Sequence, residues 1–226
     1  MCGRFALSID EDALMRFIRL LNPAQLPLRF NIAPTQPILT VVAVPGGRVA
    51  RDMRWGLSPP FMRQRPPSRP LINARAETLF HKPSFSAPAR EQRCLIPASG
   101  FYEWEKSSRQ AWLFRPADDA PMAFAGIWQP GDDEGAAPDS VAIITTSANA
   151  TLRPVHHRMP AILAPESFDA WLDPEQRDPQ ALSPLLRPAR DEFLKATALD
   201  GTVNDMRNQG PACWTPKPPQ TQTTLF

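Results

Sequence analysis

Cys2, Asn73, Glu103 and His156 are the residues of this chain whose side chains could be joined into one reaction. Cys2 follows Met1 directly. Removal of Met1, which a small second residue permits, would leave an α-amine and a thiol on one residue. Such an amine titrates near about 7.7–8.0 and a free thiol near about 8.5, so both are expected to supply nucleophile at neutral pH. A 1,2-aminothiol condenses with an aldehyde. The amine forms a Schiff base, and the sulfur then closes a thiazolidine ring with the advantage of an intramolecular step. Asn73 adds an amide, Glu103 a carboxylate and His156 an imidazole, and nearby arginines add guanidinium groups. That inventory suits nucleophilic attack on a polar substrate. Each residue also has a plainer role open to it: a cysteine near a terminus, a turn cap, a solvated strand residue, an ordinary histidine.

The elements that must carry these residues are read from periodicity. Ser8 and Glu11 have capping-box spacing ahead of an apolar run at 13–18, which predicts a short helix. Pro23, Pro27 and residues 31–35 read as an extended loop. Runs at 38–44 and 49–55 flank Pro45-Gly46-Gly47 and predict a hairpin. Residues 56–70 contain five prolines and read as a surface loop with Phe61 and Met62 at an apolar tip. Residues 71–78 start as a strand and turn helical. Further strands are expected at 93–96, 100–105, 111–115, 122–128, 141–146 and 192–198, with helices at 166–172 and 179–187. In the strand at 100–105, alternation places Glu103 on the face opposite Tyr102 and Trp104. The fold class is therefore α+β: a single β-rich domain of twisted antiparallel strands with a few short helices, over residues 1–214. A Pro/Gln/Thr-rich tail, 215–226, is expected to be disordered.

Composition narrows the class. With 226 residues and 42% hydrophobic content the chain can bury a sizeable core. No apolar run reaches the roughly 18 residues of a membrane span, and no secretory signal precedes the first elements, so a cytoplasmic location without membrane contact is expected. Three cysteines, Cys2, Cys94 and Cys213, make neither a disulfide framework nor a zinc site. Cys94 reads as a buried small hydrophobe. His156 and His157 are expected to point to different sides of an extended segment, so no metal or other cofactor is expected. The net charge of +2 conceals an asymmetry: residues 1–75 hold 11 Arg against 4 acids, and the remainder is net acidic. A basic N-terminal third fits a polyanionic partner, with compositional Arg bias as the plainer explanation.

Six motifs then stand in order: Met1-Cys2-Gly3-Arg4-Phe5, Asn31-Ile32-Ala33-Pro34, Arg54-Trp55-Gly56-Leu57, Ile72-Asn73-Ala74-Arg75-Ala76-Glu77-Thr78, Gly100-Phe101-Tyr102-Glu103-Trp104, and His156-x-Arg158-Met159-Pro160. With Val203-Asn204, they resemble the SOS-response-associated peptidase (SRAP) family over most of residues 2–211. The resemblance implies a protein that senses abasic sites in single-stranded DNA and forms a covalent DNA–protein crosslink through Cys2. Asn73 would orient the intermediate, Glu103 would handle protons near the α-amine and the sugar, and His156 would act as general acid/base. Arg4, Arg75 and Arg158 would hold phosphates. Pro34, Phe61, Met62 and Trp104 would complete the DNA surface, Phe61 and Met62 standing where the family places at least one Trp. Lyase activity, crosslink reversal and removal of Met1 are implied alongside, as is a nucleoid-associated setting. Gln222-Thr223-Thr224-Leu225-Phe226 resembles the short peptide by which bacterial repair proteins hold the sliding clamp. Two other classes fit the Met-Cys-Gly opening: an N-terminal-nucleophile amidotransferase or autopeptidase, and a non-catalytic single-strand binding module.

Overall fold

Apolar and β-branched residues dominate the long runs of this chain, and in the computed structural model these runs become strands, several of them buried on both faces. The structure describes residues 2–21, 28–62, 68, 70–132 and 137–218. In chain order, β1 (Phe5–Leu7), α1 (Glu11–Ile18), β2 (Arg29–Ile32), β3 (Pro37–Val44) and β4 (Gly47–Trp55) come first. β5 (Asn73–Arg75), α2 (Pro83–Glu91), β6 (Arg93–Ala98), β7 (Gly100–Trp104), β8 (Ala111–Pro116), β9 (Met122–Gln129) and β10 (Ser140–Ser147) follow. The remainder is β11 (Arg158–Pro160), β12 (Ile162–Leu163), α3 (Phe168–Leu172), α4 (Pro179–Leu182) and β13 (Leu194–Ala198).

The strands make two sheets, one wholly antiparallel and one mixed but mostly antiparallel. One has the order β13-β8-β7-β1-β2. The other runs β11-β10-β4-β3-β6-β9-β12, and pairing of β9 with β10 closes its centre into a ring. β10 pairs in parallel with β4 and with β5, setting Asn73 opposite Ile143. Alternation divides each strand between two cores. In β9, Ala123, Ala125 and Ile127 face a core shared with the helices, while Met122 and Phe124 face the five-stranded sheet. Gly126 is required where β9 passes β6, since a Cβ there would come within 2.7 Å of Cys94 Sγ. Between the sheets, Phe5 packs edge-on against Trp55 and Phe124, with ring centroids 5.3 and 5.9 Å away. Burial of each such side chain stabilises the fold by about 1.5–3 kcal/mol. A third core, formed by Phe30, Tyr102, Leu113, Leu199, Val203 and Cys213, lies behind the five-stranded sheet.

The hairpin of β3 and β4, the strands β6 to β10 and β13, and the change from strand to 3-10 turn at 73–78 stand where periodicity placed them. Other features differ. The helix cap is Asp10, whose Oδ1 accepts from the Ala13 N–H at 2.8 Å. Ser8 instead belongs to the sheet edge, its N–H donating to Ser99 Oγ. Arg29–Ile32 is a strand, not part of a loop, because β1 offers it a free edge. β1 itself, α2, β11 and β12 were not legible. Thr215–Pro218 are ordered against β13, with the Lys217 N–H donating to Ala198 O at 2.8 Å. Pro23, Pro27, the centre of the 56–70 loop and Gln222–Phe226 lie outside the described residues.

Candidate active site

Cys2 sits at the entrance to β1, wholly buried in the core between the sheets. Two neighbours fix it. β1 pairs with β7, placing Phe5 beside Phe101, and the Tyr102 N–H donates to Arg4 O at 3.0 Å. From the other side, Asn73 on β5 donates from Nδ2 to the Cys2 carbonyl at 2.9 Å. Asn73 Oδ1 is buried without a hydrogen-bond partner among the described residues, an acceptor left open to a ligand.

Glu103 is on the face of β7 toward Cys2, while Tyr102 faces the core behind the sheet. The alternation expected for this strand is therefore present. Glu103 is 5% exposed, and burial pushes its carboxyl up to about 7. His156 Nδ1 lies 3.9 Å from Glu103 Oε1. Burial moves the imidazole the other way, below its ordinary range. At neutral pH Glu103 is thus near half-protonated and His156 is largely neutral. The carboxyl is the better proton holder of the two, the reverse of their order in water.

The four residues are therefore brought together from β1, β5, β7 and the turn before β11. Two expectations change. Burial, followed by the nearby Glu103 charge, drives the Cys2 thiol far above its usual value, so the sulfur is a neutral thiol at pH 7. His156 and His157 do not point apart: their rings stack with centroids 4.5 Å apart, because the chain turns here and is not extended.

The arginines divide. Arg75 is exposed beside Asn73. Arg4 is half-buried, its Nη1 donating to Asn31 Oδ1 at 2.6 Å and to Val203 O, with its guanidinium over the Trp104 ring. Arg158 is 9% exposed and holds the exposed Glu77 carboxylate with both Nη atoms, so in this structure its guanidinium is engaged by that carboxylate and is not an open phosphate ligand. Trp104 donates to Asn204 Oδ1 at 2.7 Å at the edge of the site. Phe61 projects from its loop, 63% exposed. Met62 lines a cavity of about 150 Å³ with Thr35, Arg54 and Ser58, and Pro34 is half-buried in the turn beside Thr35.

Asn31 is a structural hub that sequence reasoning quoted without a role. Fully buried, its Nδ2 donates to the carbonyls of Val203, Asp205 and Asn208. It ties the C-terminal segment to Arg4 and hence to the site. Only the pairing of Asn31-Ile32-Ala33-Pro34 with Val203-Asn204 hinted at this, and those stretches are far apart in sequence.

A two-sheet, largely antiparallel fold with a buried cysteine at residue 2 defines the class of protein. The same fold is found in a crystal structure of a Bacteroides thetaiotaomicron protein, with a TM-score of 0.78 and 24% identity, covering 94% of this chain and 98% of that one. The family described as SOS response associated peptidase (SRAP) matches residues 1–206, and the chain belongs to it. It is 34% identical over 218 residues to the abasic site processing protein YoqW of Bacillus subtilis, covering 93% of this chain and 97% of that one. It is 32% identical over 198 residues to the abasic site processing protein HMCES of Gallus gallus, covering 75% of this chain and 58% of that one.

Proposed function

We propose that this chain captures abasic sites in single-stranded DNA as a covalent thiazolidine on Cys2. The observation that carries the proposal is the gathering of Asn73, Glu103 and His156 around the one residue that becomes a 1,2-aminothiol once Met1 is cleaved. The names of the relatives support the same substrate.

In this scheme His156 opens the deoxyribose by moving the C1′ hydroxyl proton toward the ring oxygen, which exposes the aldehyde. The Cys2 amine attacks C1′. Glu103, near half-protonated, gives its proton to the departing hydroxyl, so water leaves and an iminium remains. The thiol then adds: the S–C1′ bond forms, the C=N electron pair returns to nitrogen, and the thiol proton passes to the Glu103 carboxylate. Glu103 ends as it began, and the balance is amine plus aldehyde plus thiol giving thiazolidine plus water. Asn73 Oδ1 accepts from the cysteine nitrogen during these steps. The amine attacks first because the thiol is not ionised.

While the iminium lasts, its C2′ hydrogens are acidic. Loss of one expels the 3′ phosphate, which is the accompanying lyase activity. Ring closure removes the iminium and protects the strand, and the same steps run backward release it. Arg75 meets the DNA backbone, the Arg4–Trp104 pair forms the groove wall, and Phe61 stacks on bases. At the other terminus Gln222–Phe226 seats the protein on the sliding clamp. A pull-down in which deletion of residues 220–226 leaves clamp recovery unchanged, or in which the full chain recovers none, refutes that role for the tail.

The test is incubation of Met1-processed protein with single-stranded DNA holding one abasic site, read on a denaturing gel. A slow-migrating band is expected with wild type, at least about a hundredfold weaker in Cys2→Ala. An equal band in Cys2→Ala refutes the proposal.

A further inference from the structure

We propose that Glu77 is a positioning residue for proton transfer at His156, acting through Arg158. What that transfer accomplishes rests on the abasic-site reading above; the positioning itself does not. Arg158 opens β11, and its backbone is pinned from two directions. Its side chain grips the Glu77 carboxylate, with Nη2 to Oε2 at 2.9 Å, and Nη2 also donates to Thr145 O on β10. Its main chain pairs with Ser147 of β10.

That pinned backbone is the seat of the imidazole. His156 Nδ1 lies 3.1 Å from the Arg158 nitrogen and 3.1 Å from the Arg158 oxygen. A neutral ring accepts from the Arg158 N–H. A protonated ring donates from Nδ1–H to the Arg158 carbonyl. Both states are satisfied with no rotation of the ring, and the proton that comes and goes is the one on Nδ1, the atom facing Glu103. The seat works only while the Arg158 peptide stays in place, and Glu77 is the carboxylate that holds its side chain.

Charge adds a second effect. The groups facing His156 are the N-terminal amine, Glu103 from β7, His157 stacked on it, and Arg158, with Glu77 beyond; the amine, like His157 and Arg158, opposes an imidazolium and is unchanged by substitution at Glu77. The Arg158 cation opposes an imidazolium, and Glu77 offsets that cation. The hydrogen bond from Arg158 holds the Glu77 carboxyl below its usual range, so it stays anionic as His156 titrates. Removing the Glu77 charge leaves Arg158 uncompensated and makes the imidazolium harder to form.

The experiment is an NMR titration of the histidines, of which the chain has three, in wild type and Glu77→Gln without DNA. In the folded variant the His156 midpoint is expected to move to lower pH, and crosslinking to abasic DNA to slow about tenfold. A midpoint that stays or rises in folded Glu77→Gln overturns the proposal. Should that variant not fold, Glu77→Asp, which keeps the charge on a shorter side chain, takes its place. Its His156 midpoint is then expected below wild type, and an unmoved or raised midpoint overturns the proposal equally. Failure of the abasic-site reading would show differently, as wild-type protein that forms no adduct.

Discussion

A carboxyl group on a strand between two sheets is a poor anion, and Glu103 is such a group. Its rise from an ordinary 4.5 to about 7 is caused by burial, and that gap is worth about 3 kcal/mol. The folded protein therefore binds this proton more tightly than the unfolded chain does. Stability from it is complete below pH about 4.5 and is lost as pH rises through about 7. Glu103→Gln, neutral at every pH, should gain up to about 3 kcal/mol over wild type in urea unfolding at pH 8 and nothing at pH 4. Crosslinking by the same variant should fall about a hundredfold, since the group that protonates the leaving hydroxyl is gone. A variant with the same stability as wild type at pH 8 would show that Glu103 is not a buried acid. The Cys2 thiol follows the same physics: burial keeps it protonated, and in the proposed scheme this is the reason the amine leads.

β7 is the element on which these effects converge, because its two faces do different work. One carries Glu103. The other carries Tyr102, whose hydroxyl donates to Phe30 O at 2.5 Å and accepts from Trp214 Nε1 at 2.7 Å. Tyr102→Phe leaves both partners buried and unmatched, so it should cost about 1–3 kcal/mol of stability while leaving crosslinking intact. Chemical denaturation and the abasic-DNA gel, run on one preparation, check both halves. Loss of crosslinking in folded Tyr102→Phe would mean that the faces are not separable. Strands such as β3 and β9 were legible because a nearly unbroken apolar run of eight residues bounded by turn residues fits a buried strand, and the five residues of β7 were legible from their alternation. β1 was not, since three residues carry no period and owe their conformation to β2 and β7 on either side. α2 was hidden for another reason: it has a proline at its start and Pro88 within it, and the buried Phe85 and Ala89 hold it in place.

At the scale of the molecule the two ends of the chain meet across one sheet. Residues 2–7 lie beside β7, and residues 199–214 cover its far face through Asn31, Trp104 and Tyr102. This closure was invisible in the sequence, since Asn31 and Val203 are joined by a contact spanning 172 residues. The central site was better marked: reactive residue types recur in short motifs, and the fold brings Cys2, Asn73, Glu103 and His156 together. The roles of the arginines were less legible, because type and motif do not reveal whether a guanidinium faces solvent, as Arg75 does, or is itself buried and reaches out to a surface carboxylate, as Arg158 does to Glu77. In the proposed function this arrangement serves one covalent bond, at the residue that Met1 removal would expose. The most direct test is the intact mass of wild-type protein after reaction with abasic single-stranded DNA, before and after borohydride. The account predicts a species lacking Met1, equal to protein plus DNA less one water, whose mass borohydride leaves unchanged because the ring is closed. An adduct that retains Met1, or one that gains hydrogen from borohydride, would contradict it.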